Sequence, residues 1–359
     1  MKPNFWKNKK VLITGHTGFK GSWMTLMLKG LGAKVYGYAL NPISKPNFFD
    51  GLKLKRFLEK DTRANLKDIK KFSKTLNSIK PQIVFHMAAQ SSVLVSYKNP
   101  LDTIYSNVIG TVNVLQAIRE CNSIKAVIVV TTDKVYLNTE QKKKFGEEDK
   151  LGGLDVYSGS KACCEILTTS YLNSFFKDKK FNLVTVRSGN CIGGGDWTKD
   201  RILKDCAESF IFNKKIVIRS PKASRPWQHV MEPIFGYLKL TEKLYFSKKY
   251  SGSWNFGPNL KNNIKVLDVA KYGKKLLSSK SRILLTKQKF HEANHLSLNS
   301  SKSLKYLKWK TRLKSKDALD LAFRWYEFYY QNRNKNINKI IDFTFLQINN
   351  YRKTFSKFL

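Results

Sequence analysis

One seven-residue turn constrains this chain more than any other stretch. The short apolar run Lys10-Val11-Leu12-Ile13-Thr14 leads into Gly15-His16-Thr17-Gly18-Phe19-Lys20-Gly21, and Ser22 to Leu31 then carries apolar residues at helical spacing. Gly32 stands where a helix C-terminus favours glycine. Strand, glycine turn and helix in that order open a parallel α/β sheet. The first glycine permits the tight turn, the second lets backbone approach a pyrophosphate, and the third lets the helix pack closely on the strand. The helix N-terminus adds free N–H groups and the positive end of its dipole. The alternative, an ordinary tight turn, does not need the flanking strand and helix. The turn therefore points to a bound dinucleotide, held by Gly15, Thr17, Gly18, Phe19, Lys20 and Gly21.

Further buried strands are expected at Lys34 to Leu40, Pro81 to Ala89, Ala126 to Thr132 and Leu183 to Arg187. Continuous apolar strands alternating with helical stretches mean a parallel sheet covered on both faces, a doubly wound Rossmann α/β architecture. After Arg187 the chain turns glycine-rich and mixes short strands with helices. This suggests a smaller C-terminal α/β lobe for the substrate. The expected division is 1–187 and 188–359, with segments at about 226–260 returning to the first part. Helices are expected at Asp317 to Tyr330 and Ile337 to Tyr351, joined by a surface link at Gln331 to Asn336.

No apolar run reaches the roughly 18 residues of a membrane span, and the first residues carry no signal-peptide block. Five cysteines without paired spacing fit a reducing cytoplasm better than disulfides or zinc. The formal charge of +40 is unusual. It would suit nucleic acid if it were gathered on one face, but the lysines are spread along the whole chain among Asn, Ile, Phe and Tyr. Compositional drift explains it best, with attraction of an anionic small substrate as the second reading.

Tyr157 and Lys161 stand four apart and share one helix face. An ammonium beside the phenol, with the positive charge of an oxidised nicotinamide, should lower the phenol from its usual value of about 10. Such a Tyr can take a proton from a sugar hydroxyl. Thr131-Thr132-Asp133-Lys134 ends a buried strand, at the sheet edge where ligands bind. There Thr132 can hydrogen-bond the reacting hydroxyl, and Asp133 and Lys134 can trade protons. The acidic residue usual after the second strand is absent, with Asn41 near its place. That position therefore leaves NAD and NADP open. Asp61 is either an adenine contact or a surface cap.

With these residues in view, the chain resembles the extended short-chain dehydrogenase/reductase superfamily, and within it the NAD-dependent nucleotide-sugar 4,6-dehydratases. The resemblance rests on the Gly15 to Trp23 turn, His86-Met87-Ala88-Ala89-Gln90, Ser106 to Thr111, Gly193-Gly194-Gly195-Asp196-Trp197, Arg225-Pro226-Trp227-Gln228-His229-Val230, Trp254 to Pro258 and His291-Glu292-Ala293. Asp133-Lys134, where dTDP- and GDP-sugar enzymes usually carry Asp-Glu, resembles the branch acting on CDP-glucose.

The resemblance implies NAD as cofactor, with Asp61, Thr62, Ala88, Ala89, Gln90, Asn107 and Thr131 joining the turn, Tyr157 and Lys161 around it. It implies a substrate side of Gln90, Thr132, Asn190, Arg201, Arg219, Arg225, His229 and His291, with Arg225 a bidentate grip on the diphosphate. His291 and His295 lack a third ligand, so no metal is expected. The implied reaction starts with Tyr157, supported by Lys161 and Thr132, taking the 4-hydroxyl proton as hydride leaves C4 for NAD. Lys134 is the candidate base at C5 and Asp133 the candidate acid for the departing 6-hydroxyl, and hydride returns to C6. The product would be CDP-4-keto-6-deoxyglucose, made by a cytoplasmic hydro-lyase of deoxysugar (O-antigen or lipopolysaccharide) biosynthesis. A homodimer or homotetramer is expected, without nucleic acid or membrane as partner. The competing readings are another nucleotide-sugar 4,6-dehydratase, a 4-epimerase, or a basic nucleic-acid-binding protein on the same fold.

Overall fold

The computed structural model describes residues 4–139, 143–176, 181–258, 263–286 and 296–356. Six strands enter in chain order: β1 (Lys10–Thr14), β2 (Lys34–Ala39), β3 (Lys60–Arg63), β4 (Ile83–His86), β5 (Ala126–Val130) and β6 (Asn182–Ser188). With Gly252–Phe256 they form a seven-stranded sheet in the order Gly252–Phe256, β6, β5, β4, β1, β2, β3. Every pairing in it is parallel. β4, β5 and β6 are buried at every position; β5 therefore reads as an unbroken apolar run, while β6 buries Asn182, Thr185 and Arg187 with hydrogen-bond partners.

Helices cover both faces. On one, α1 (Phe19–Gly30) and Met231–Leu244 share a core with the C-terminal helices, with Met24, Leu28, Val186, Ile234 and Leu238 inside it. On the other, Ile69–Ile79 and Gly110–Arg119 close over Leu12, Val84, Val127 and Leu183. Chain direction across the sheet reverses between β1 and β4, so the loops at their C-terminal ends part and leave a crevice.

Several boundaries differ from those expected. α1 begins at Phe19, so Gly21 lies inside its first turn. The strand expected at Pro81 to Ala89 is confined to Ile83–His86. β3 was invisible because Lys-Asp-Thr-Arg has no apolar run, and as the outermost strand it needs none. The remaining strands form two-stranded pieces. Gln228–His229 pairs with Cys191–Ile192, Asn263–Lys265 with Ser224–Pro226, and Ile283–Leu285 with Ile216–Ile218. The last two helices run over Ser315–Asn332 and Ile337–Ser356.

Candidate active site

β5 and the helix Val156–Tyr171 bring the chemistry together. β5 stops at Val130, and Thr132 caps a short turn over Asp133–Val135, accepting from the Lys134 N–H at 3.4 Å. Asp155 caps the helix by accepting from the Ser158 N–H at 2.9 Å. That cap sets the helix register, so Tyr157 and Lys161 lie one turn apart on the side facing β5. The Lys161 ammonium donates to the Val130 carbonyl at 3.1 Å. Thr132 Oγ1 donates to Asp133 Oδ1 at 3.0 Å, and both act electrostatically on the Tyr157 phenol. Thr132, Asp133, Tyr157 and Lys161 are all buried, at 8% exposure or less.

Burial governs the electrostatics. It pushes the Asp133 carboxyl above its ordinary range, against the pull of Lys134, the Thr132 hydrogen bond, Lys20 and Arg225. It also pushes the Tyr157 phenol up, with the Thr132 hydroxyl, Lys20 and Arg201 opposing and Asp133 reinforcing. The depression expected from Lys161 together with an oxidised nicotinamide is not seen in the protein by itself. In the protein by itself desolvation outweighs the neighbouring cations, and the Lys161 head is spent on a strand-end carbonyl. Lys161 is itself lowered by burial.

Lys20 sits deeper in this network than its place in the turn suggests. Its ammonium donates to Ser188 Oγ at 2.7 Å. Burial works to lower it, but Cys191, Tyr237 and Tyr157 prevail and raise it, so it stays charged. Ser188, Cys191 and Tyr237 were not foreseen: they come from β6, the strand after it and Met231–Leu244, with no local spacing to join them.

The cofactor side was tested on the turn itself. A Cβ on Gly15, whose φ is +76°, would lie 2.6 Å from the Ala88 nitrogen, and one on Gly21 would lie 2.2 Å from the Gly15 oxygen. Gly18 is exposed at the α1 N-cap, and neither a capping side chain nor an acid occupies that first turn. The α1 N–H groups are thus open to an anion, and the buried Thr62 hydroxyl has no hydrogen-bond partner. These features fit a dinucleotide.

Asp61, read as an adenine contact or a surface cap, is engaged within the protein. Its carboxylate takes His16 Nε2 at 2.9 Å and Arg63 at 2.8 and 3.0 Å, which ties the glycine turn to β3. Thr17 donates to the Leu40 carbonyl at 3.0 Å. Asn107 likewise acts as a clasp. It accepts from the Gln90 N–H at 2.8 Å, and its amide donates to the Gln90 carbonyl and to Ser160 Oγ. The Gln90 side chain donates to Ser92 and Thr103. Thr131 donates to Glu165, the acid paired with Arg187 in the core. Ala88 and Ala89 lie partly exposed where the β4 loop meets Gly15.

On the substrate side, Arg225 and Arg201 reach the centre by charge, the first acting on Asp133 and the second on Tyr157. Arg201 also pairs with Asp196 at 3.3 Å. Asn190 is half-buried beside them. Arg219 instead pairs with Asp200 at 2.6 Å near the surface. His229 departs from expectation. It is wholly buried, edge-on to Trp23, and accepts the Met231 N–H at 3.3 Å. Burial drives it down to about 3, so the ring is neutral, and its buried Nε2 has no hydrogen-bond partner. His291, and His295 with it, lie outside the described residues. Among the described residues no cluster suited to a metal occurs.

Sheet order, glycine turn and Tyr–Lys helix together define an extended short-chain dehydrogenase/reductase. The chain belongs to the family described as GDP-mannose 4,6 dehydratase, whose model matches residues 12–321. It is 41% identical over 334 residues to the CDP-glucose 4,6-dehydratase of Salmonella typhimurium, covering 90% of this chain and 92% of that one. It is 24% identical to the human dTDP-D-glucose 4,6-dehydratase, covering 93% and 94%. In fold it is similar to a Thermotoga maritima UDP-glucose 4-epimerase, with TM-score 0.78, 18% identity and 90% and 99% coverage. A Bacillus anthracis dTDP-glucose 4,6-dehydratase solved with NAD is likewise similar, at TM-score 0.75, 19% identity and 90% and 98% coverage.

Proposed function

We propose that this chain is an NAD-dependent hydro-lyase that converts CDP-glucose to CDP-4-keto-6-deoxyglucose. The Asp133–Lys134 pair carries the reading: it stands at the sheet edge, where Asp133 accepts from the Thr132 hydroxyl and its charge acts on the buried Tyr157. An epimerase has no use for an acid and a base in elimination, whereas a dehydratase needs both. The 41% relative, which carries this activity in its name, supports the choice of CDP-glucose.

NAD, when bound, takes up the C4 hydride and gives it back at C6. The α1 N-terminus and the Gly15–Gly21 turn would hold its diphosphate, with Tyr157 and Lys161 at its reactive end. Tyr157 accepts the 4-hydroxyl proton and Thr132 orients that hydroxyl. Lys134 removes the C5 proton, acidified by the adjacent ketone. Asp133, kept protonated more readily by its burial, gives a proton to the departing 6-hydroxyl. Arg225 and Arg201 neutralise the substrate diphosphate.

The test is to supply CDP-, dTDP-, UDP- and GDP-hexoses and weigh the products. Loss of one water from CDP-glucose in preference to the others is expected. A product of unchanged mass with inverted C4 would make the chain an epimerase.

The same reading makes the chain a homodimer of the cytoplasm. Leu101, Ile104, Tyr105, Ile109 and Ile166 are exposed on neighbouring helices beside the sheet, an apolar surface suited to a second copy. Among the described residues no helix is long and apolar enough to cross a membrane. Ile104→Glu with Ile166→Glu should halve the mass seen by light scattering; an unchanged mass would place the interface elsewhere.

A further inference from the structure

The elimination depends on where one flexible amine starts from. Lys134 sits in the segment Thr131–Tyr136, where it alone is partly exposed and the other residues are buried. Both ends of that segment are tied to one buried ion pair. At the first end, Thr131 Oγ1 donates to Glu165 Oε1. At the other, the Tyr136 hydroxyl accepts from Arg187 Nη1 at 2.7 Å and donates to Asn255 Oδ1 at 2.8 Å. Arg187 and Glu165 meet as a fork, Nε on Oε1 and Nη2 on Oε2, each at 2.9 Å. Their side chains are 2% and 1% exposed.

Every N–H of this guanidinium is committed. Two go to Glu165, one to Tyr136, one to the Glu147 carbonyl at 3.0 Å and one to Ser253 Oγ at 2.9 Å. Glu147 precedes the segment that pairs antiparallel with the exit of the turn, Tyr136 against Leu151. There the Gly152 N–H donates to the Val135 carbonyl at 2.8 Å, and the Leu137 N–H to the Lys150 carbonyl at 2.9 Å. The Tyr136 ring stacks on Phe145 with centroids 5.0 Å apart. A buried ion pair is a weak source of stability, because desolvating the two charges offsets much of their attraction. What the five donors supply is fixed spacing between the groups they hold. Glu165 stands on the Tyr157 helix, eight residues on and on the same face, so the turn is placed relative to that phenol as well.

We propose that the Arg187–Glu165 pair is a positioning device for the elimination: by gripping the turn at Thr131 and Tyr136, it sets where the Lys134 amine meets C5 of the substrate. Its basis is the dehydratase reading above, to which it adds two positioning residues, Arg187 and Tyr136, acting through Lys134. No bond is made or broken beyond those of the elimination itself. The Tyr136 tie lies two residues from Lys134 and four from Thr132. Loosening it therefore displaces the base at C5 more than the group that serves C4.

The experiment is a single-turnover rapid quench with CDP-glucose on the NAD-loaded full chain, comparing wild type, Tyr136→Phe and Arg187→Lys. Mass spectrometry separates the substrate, the 4-keto-hexose intermediate, lighter by two hydrogens, and the dehydrated product, lighter by one water. Tyr136→Phe deletes one hydroxyl and keeps the ion pair. Arg187→Lys keeps the charge but brings three donors to five acceptors. In both variants the intermediate should accumulate and its loss of water should slow about 10-fold or more, since misplacement by about 1 Å can cost on the order of 10²-fold. Oxidation at C4 should slow by much less. A purely structural defect removes active molecules and leaves both rate constants as they were. These constants do not depend on how much of the chain folds, and Tyr136→Phe answers alone where Arg187→Lys gives no soluble protein. Equal slowing of both steps, or wild-type constants in Tyr136→Phe, overturns the positioning role and leaves the dehydratase reading standing. A wild-type enzyme that forms no dehydrated CDP-sugar removes that reading and the positioning role with it.

Discussion

Lys134 is the residue on which the chemistry can be split. Thr132 and Tyr157 serve the first proton transfer, and Lys134 is assigned to the second. Lys134→Met should therefore stop deuterium wash-in at C5 while hydride loss from C4 continues, followed by mass spectrometry of product recovered from D₂O. Survival of both would take the base role from Lys134. At this scale the sequence was readable wherever function lies in local spacing. Tyr157 and Lys161 share a helix face because they are four apart. What it could not show is where a long side chain comes to rest. Lys20 looks like one more turn residue until Ser188, 168 positions later, is found at its amine. Asp61 shows the same limit, since its carboxylate is engaged by His16 and Arg63. A polar residue in a motif says nothing of whether its polar atoms face a ligand or are already spent inside the protein.

Among the elements, the turn before α1 is the least tolerant. A methyl on Gly21 would come within 2.2 Å of the Gly15 backbone oxygen, and neither side is a flexible side-chain tip. Gly21→Ala should push α1 off β1 and weaken NAD binding by about 10-fold or more, since 1.4 kcal/mol of lost fit is already tenfold. Titration calorimetry with NAD measures it, and unchanged affinity would mean that α1 does not support the diphosphate. The buried strands β4, β5 and β6 were legible because a strand covered on both faces is mostly apolar, even where β6 buries Arg187 against Glu165. β3 and Gly252–Phe256 were not, since an outer strand can be polar or short and still pair through its backbone. Their places follow from register with β2 and β6, which are tertiary facts.

At the scale of the whole molecule, one buried acid joins the C-terminal helices to the rest. Glu232 accepts from the Arg312 and Leu313 N–H groups at 2.8 and 2.7 Å and from the Tyr351 hydroxyl at 2.7 Å. Burial pushes it up to about 7 against those hydrogen bonds and the Arg312 charge. Its folded value thus exceeds the unfolded one of about 4.3. Between the two, the unfolded chain holds fewer protons, so the stability this group supplies is complete below the unfolded value. It is lost as pH rises through the folded one, at up to about 1.4 kcal/mol per pH unit. Urea unfolding from pH 5 to 8 should show this decline levelling off above about pH 7, and Glu232→Gln should remove it. A variant with the wild-type slope would assign the slope to other groups.

The rim of the sheet has a bearing on how the chain is made. β6 is flanked on its outer side by Gly252–Phe256, a segment that emerges from the ribosome only after residue 251 of 359 has been joined. Until then β6 presents an unpaired row of amides and carbonyls, a ready template for another nascent copy. A message truncated near codon 190 would therefore yield a sticky fragment rather than a smaller working dinucleotide binder.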